Sequence, residues 1–228
     1  MTTVLGVDAC PAGWVAVELR DGRFAAAQHV TALRSLLPGA AGAVVVAVDM
    51  PLGLLDSGWR RADTEAAGVL GPLRSSVFRV PPRAVWQEEC YEVASRRCRE
   101  LTGAGLSRQS WGLVAKLREA GACLTEPEGG RLFEAHAEVS FWALAGGTPL
   151  LHRKKSWAGQ AARRSLLAEA AGIVLPDDLG DAGRVPPDDV LDAAAVAWTA
   201  YRIARGRARS LPDPPQHDRD GRPVAIWY

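Results

Sequence analysis

Two apolar, β-branched runs, each halted by one aspartate, constrain this chain more than any other feature. The first is "TVLGVDA" at residues 3–9, halted at Asp8; the second is "AVVVAVDMP" at 43–51, halted at Asp49. A strand that is apolar on both faces belongs at the centre of a sheet covered on both sides. An acid at its end then belongs to the edge of that sheet, where loops and ligands meet. "GWVAVELR" (Gly13–Arg20) predicts a second strand, Asp21-Gly22 a hairpin turn, and Phe24–Val30 a third strand. Thr31 is then expected to cap a short helix, "ALRSLL", which Pro38-Gly39 ends. A helix between two buried strands implies that they run parallel. Residues 1–50 therefore read β-β-β-α-β.

A right-handed crossover puts the Asp8 and Asp49 strands side by side with their C-terminal ends on one edge. Ligands bind at that edge in open α/β sheets. Two carboxylates held together repel unless a proton or a cation separates them. Magnesium and manganese, which favour carboxylate oxygens, suit such a pair. The structural alternative is that each aspartate merely caps a turn at its strand exit.

Downstream, the sheet signal disappears from about residue 52 to 128, and about 56–128 is a block rich in Gly, Pro, Arg and small residues. It reads as a helical insertion, with helices at Gln87–Leu101 and Ser107–Ala120 and Ser107 as the cap of the second. Residues 131–138 alternate like a strand ending at Glu138, which makes Glu138 a further acid for the same edge, with Glu134 and His136 on its face. A short helix follows. Residues 153–172 predict a helix stopped by Gly172, and Pro186-Pro187-Asp188 opens a last long helix to about Arg205. The Pro-rich tail is expected to pack through Ile226 and Trp227. On the last helix Asp189 and Asp192 share a face, as do Asp188 and Asp192. Asp188 and Asp189 alone can be dipole-stabilised acids of a helix start. Asp192 lies deeper, directly before the small, apolar run "AAAVAW", and so borders a tightly packed surface.

Composition sets the outer limits. The chain has 228 residues, 48% of them hydrophobic and 23% charged, enough for one domain with a real core and a substantial insertion. No stretch of eighteen apolar residues occurs, since the longest, near Ala40–Leu55, is broken by Asp49 and Pro51. No membrane partner is expected. The N-terminus shows no secretory pattern. Cys10, Cys90, Cys98 and Cys123 lack zinc-site spacing, so they read as reduced thiols of a cytoplasmic protein. The net charge of +1 neither requires nor excludes a nucleic-acid partner.

The β-β-β-α-β start with these acids resembles the ribonuclease-H-like fold. More closely, the stretches "VLGVDACPAGWVAV", "AVDMPLGL", "RRADTEA", "SSVFRVPPR", "GLSRQSW", "EAHAEVSFWAL", "KKSWAGQAARR", "DDVLDAAAVAWTA" and "DRDGRPVAIWY" resemble, in order, a domain-of-unknown-function family (DUF429) described as RNase-H-like nucleases. That resemblance implies an α/β three-layer fold with a mixed five-stranded sheet in order 3-2-1-4-5 and a helical insertion after the fourth strand. It also implies metal-dependent hydrolysis of nucleic acid, with two Mg²⁺ or Mn²⁺ ions about 4 Å apart. Asp8 would bridge the ions, Asp49 would serve one, and Asp192 with Asp189 or Glu138 the other. Arg61, Arg83, Ser107, Gln109, Lys155 and Arg163 are the candidate contacts to substrate, each with a solvated helix face as its plainer reading. Trp59, Trp86, Trp111 and Trp157 offer base-stacking surfaces or simple packing. Two other functions stay open: a binder of nucleotides or phosphorylated small molecules, and a non-catalytic nucleic-acid or protein-binding module.

Overall fold

A computed structural model describes residues 1–39 and 43–228; Ala40, which heads the longest apolar stretch, lies outside them. Strands β1 (Thr3–Cys10) and β2 (Gly13–Arg20) form an antiparallel hairpin, and β3 (Arg23–Val30) extends it. A 3₁₀ turn at Leu33–Ser35 leads into α1 (Leu36–Gly39), and β4 (Ala43–Val48) then lies parallel to β1. Next come α2 (Arg61–Leu70), α3 (Arg83–Trp86), α4 (Tyr91–Thr102), α5 (Arg108–Trp111) and α6 (Val114–Cys123). The short β5 (Leu132–Glu134) closes the sheet parallel to β4. The order is β3-β2-β1-β4-β5, the layout of the ribonuclease-H-like fold with its helical insertion after the fourth strand. Helices α7 (Ala137–Leu144), α8 (Trp157–Ala171) and α9 (Pro187–Ala204) follow. Finally β6 (Ser210–His217) and β7 (Pro223–Trp227) pair in a second sheet, which meets the first where Trp227 bridges Ala135.

Strand alternation divides the core into two layers. Leu5 and Val7 of β1, with Val46 and Val48 of β4, face the insertion helices. Val4 of β1, with Val45 and Ala47 of β4, faces α7, α8 and α9. Side chains two residues apart share a face, so Asp8 follows Val4 and Gly6 onto the α9 side. By the same count Asp49 follows Val45 and Ala47 there. The parallel ladder continues one step past the strand, because the Asp49 amide donates to the Val7 carbonyl at 2.8 Å.

Helix α9 lies unusually close to β1, and the sequence explains it. Ala193, Ala194, Ala195 and Ala197 are fully buried. A Cβ added at Gly6 would stand 1.9 Å from the Ala197 nitrogen and 2.3 Å from the Ala193 oxygen. Only glycine fits there, so helix backbone rests on strand backbone.

Four local expectations need correction. No side chain caps the turn after β3, whose cap residue is Ala32 rather than Thr31. Instead the Leu33 amide donates to Glu119 Oε1 of α6 at 2.6 Å, the same oxygen that accepts from Trp14 Nε1 at 3.0 Å. The two helices expected in the insertion are shorter: that at 87–101 starts only at Tyr91, as α4, and that at 107–120 splits into α5 and α6. The strand expected at 131–138 stops at Glu134, because α7 begins at Ala137 with Glu138 in its first turn, where the helix dipole favours an acid. The tail forms β6 and β7, concealed in the sequence by prolines at 212, 214 and 215; these fall between the paired ends of β6, where no ladder donor is required. Ser107 does cap α5, accepting from the Ser110 amide at 3.0 Å.

Candidate metal centre

Asp8, Asp49 and Asp192 each present an oxygen within 4.8 Å of the others. Neighbouring strand ends supply the first two, and the close approach of α9 supplies the third. Asp192 is 1% exposed and Asp8 is also buried. The site therefore concentrates negative charge where water cannot screen it. Burial pushes Asp8 well above the usual carboxylate range, with Asp49 and then Asp192 reinforcing the shift. Burial likewise pushes Asp192 up to about 7, opposed by Lys154 and reinforced by Asp49. Asp189, half-buried at the rim, is pushed up to about 6 by burial and by Asp188.

One lysine answers part of this charge. Lys154, from the loop before α8, donates a short hydrogen bond to Asp192 Oδ2 and lies 4.0 Å from Asp188 Oδ2. Burial alone would lower its pKa, yet Asp192, with Asp8 and Asp49 behind it, holds it above the ordinary lysine range. Even so, Asp192 Oδ1 and Asp188 Oδ2 are buried without a hydrogen-bond partner. Unpaired buried carboxylate oxygens are costly. The clustered oxygens of Asp8, Asp49 and Asp192 fit a divalent cation, for which an all-oxygen set is the natural coordination shell.

Glu138 and Glu134 have other duties. Both Glu138 oxygens accept from Arg163 Nη2, at 2.6 and 2.7 Å, and Arg163 is 0% exposed. Arg163 is thereby corrected from a candidate substrate contact to a buried counter-ion, and Glu138 from a strand-end acid to a paired helical one. Glu134 is the true strand-end acid of β5, but its register partner is Val48, which puts it on the face opposite Asp8. There it joins Arg60 and Asp63 in a buried triad. Arg60 Nη1 donates to Glu134 Oε2 at 3.0 Å and to the Gly53 carbonyl at 2.8 Å, and its Nε donates to Asp63 Oδ1 at 3.1 Å. The remaining lone pairs accept from the Leu52 and Val80 amides, each at 2.8 Å.

A cavity of about 410 Å³ opens over the acids. Of the expected substrate contacts, Gln109 alone lines it, joined by Arg153 and Lys154, which the sequence offered only as part of a basic cluster. Arg61 is paired with Glu65 at 2.9 Å, Arg83 with Asp218 at 3.1 Å, and Ser107 is occupied as a cap. Lys155 is exposed and outside the cavity lining. Among the tryptophans, Trp86 is buried with its Nε1 donating to the Pro81 carbonyl, whereas Trp157 stands 89% exposed on α8, beside a separate cleft. The four cysteines are free, and among the described residues no helix is long and apolar enough to cross a membrane.

The model of a family described as "Protein of unknown function (DUF429)" matches residues 6–217. The chain belongs to that family. Neither the curated proteins nor the solved structures returned a match.

Proposed function

We propose that this protein is a metal-dependent nuclease that hydrolyses phosphodiester bonds, with Asp8, Asp49 and Asp192 holding Mg²⁺ or Mn²⁺. The observation that carries this reading is the convergence of three carboxylates within 4.8 Å at the C-terminal edge of parallel strands. A bound divalent ion would neutralise phosphate oxygens and make a coordinated water a better nucleophile at neutral pH. The protein's own groups then have distinct duties. Asp8, on the central strand, stands close to both Asp49 and Asp192 and would be a ligand beside them. Lys154 offsets Asp192 and keeps α8 close to α9. Asp189 stands at the rim, where burial and Asp188 push its carboxyl up to about 6 in the metal-free protein. Hydrolysis puts the water oxygen on phosphorus, breaks one P–O ester bond, and sends a proton to the departing alkoxide.

The test is cleavage of labelled single-stranded, duplex, hybrid and branched substrates, with Mn²⁺ or Mg²⁺ and with EDTA. The expected result is cleavage abolished by EDTA and by Asp49→Asn. Inactivity on every substrate, or equal activity in Asp49→Asn, would overturn the reading. Calorimetric Mn²⁺ titration should show binding to the wild type and none to Asp8→Asn.

A further inference from the structure

The cavity over the acids has a lining that metal binding does not require. Asp8, Asp49, Asp189 and Asp192 line it with Glu138, Lys154 and Arg153. Leu73, Val77, Phe78, Leu113 and Ile226 line it as well, and so do the buried Arg60, Asp63 and Glu134. Those apolar residues come from the segment after α2, from the start of α6, and from β7. Leu73, Val77, Phe78 and Leu113 are half-exposed, so they offer apolar surface to the cavity while their inner sides pack on the core. Gln109 and His136 add polar groups to the lining, and His136 Nδ1 is buried without a partner. The volume of about 410 Å³ sits at the lower end of the roughly 300–1,000 Å³ that small-ligand pockets span.

We infer that the centre accepts one nucleotide unit, its phosphate over the acids and its base against Phe78. This rests on the metal-bound phosphate reading above and goes further by assigning the ligand class. Three observations favour it over a continuous duplex. An extended strand pair needs an open channel with several free cations for its phosphates. Of the cations that line this cavity, Arg60 and Lys154 are tied to carboxylates of the protein itself, which leaves Arg153. The unpartnered, buried Oδ1 of Asp192 marks where the cation and therefore the phosphate would sit. A planar, apolar-faced group with polar edges is the chemistry that fits a wall of one aromatic ring, aliphatic side chains, an amide and an imidazole; a nucleobase has it, and stacks on such a ring.

Two measurements on the full chain test this. The first is calorimetry in Ca²⁺ with 5′-AMP and with ribose 5-phosphate. AMP should bind at least tenfold more tightly. Phe78→Leu, which keeps an apolar side chain but removes the ring, should reduce that preference at least fivefold while leaving ribose 5-phosphate unchanged; Phe78→Ala should reduce it further. Equal binding of the two ligands would overturn the inference. The second compares a linear single strand with a covalently closed circle of the same sequence in Mn²⁺. The linear strand should shorten one nucleotide at a time and the circle should stay intact. Cleavage of the circle that is lost in Asp49→Asn would overturn the one-nucleotide site and leave the nuclease reading standing. A tenfold AMP preference with neither strand cut would do the reverse.

Discussion

Stripping divalent cations from this protein should weaken it at pH 8 far more than at pH 5. Asp192 is the reason. Its carboxyl, almost wholly buried, titrates at about 7 against an ordinary value of 3.8. Between those values the folded chain holds a proton that the unfolded chain has released. Stability therefore falls as pH rises through that window, and the loss is complete only above about pH 7. At about 1.4 kcal/mol per pH unit, Asp192 alone removes about 3 kcal/mol between pH 5 and pH 8. Asp8, shifted in the same direction, adds to the slope. For a chain of this size that is a fall of roughly 6–12 °C in melting temperature. Asp192→Asn cannot titrate, so its profile should be flatter by at least that amount. Urea unfolding in EDTA at pH 5, 6, 7 and 8, on both proteins, is the assay. Repeating it with Mn²⁺ at a hundred times its Kd should restore about 2.7 kcal/mol. The Kd itself should fall as pH rises, because the ligands must first lose their protons. Parallel wild-type and Asp192→Asn curves in EDTA would refute the reasoning.

Other substitutions separate the remaining ideas. Arg60→Met leaves Glu134 and Asp63 buried without their cation and should cost about 3–5 kcal/mol in urea unfolding, whereas Arg61→Ala on the adjacent exposed pair should stay within about 0.5 kcal/mol. Glu138→Gln should destabilise the protein by weakening its buried link to Arg163 yet leave Mn²⁺ titration essentially unchanged. Gly6→Ala should cost at least about 1–3 kcal/mol by overpacking and should weaken Mn²⁺ binding at the same time, since α9 must move. Leu167→Ala, in the same core layer, should cost about 2–5 kcal/mol and leave Mn²⁺ affinity intact.

Strand-end acids were legible because alternation and topology are both periodic constraints. Asp8 and Asp49 fall on a shared face by counting in twos, and Asp192 is marked by the alanine run that follows it. Glu138 was misplaced because "EAHAEV" satisfies a period of two as readily as the first turn of a helix, and length decides between them only in the folded chain. Pairing choices were harder still. Nothing in "WRRAD" says that Arg60 turns inward and Arg61 outward, and nothing in "RKK" singles out the middle lysine. Those outcomes depend on which carboxylate lies across the gap, and the relevant partners are distant in sequence: Glu134 for Arg60, Asp192 for Lys154. The two terminal strands were hidden because prolines suppress the very pattern by which strands are recognised.

Seating a helix on a strand with no side chain between them gives the centre a kind of mechanical reference plane. The offset from Asp192 to Asp8 is set there by bond lengths and atomic radii, which do not drift as a hydrophobic interior is exchanged residue by residue. The surrounding interior is then free to vary widely in composition and robustness while the spacing of the carboxylates stays the same.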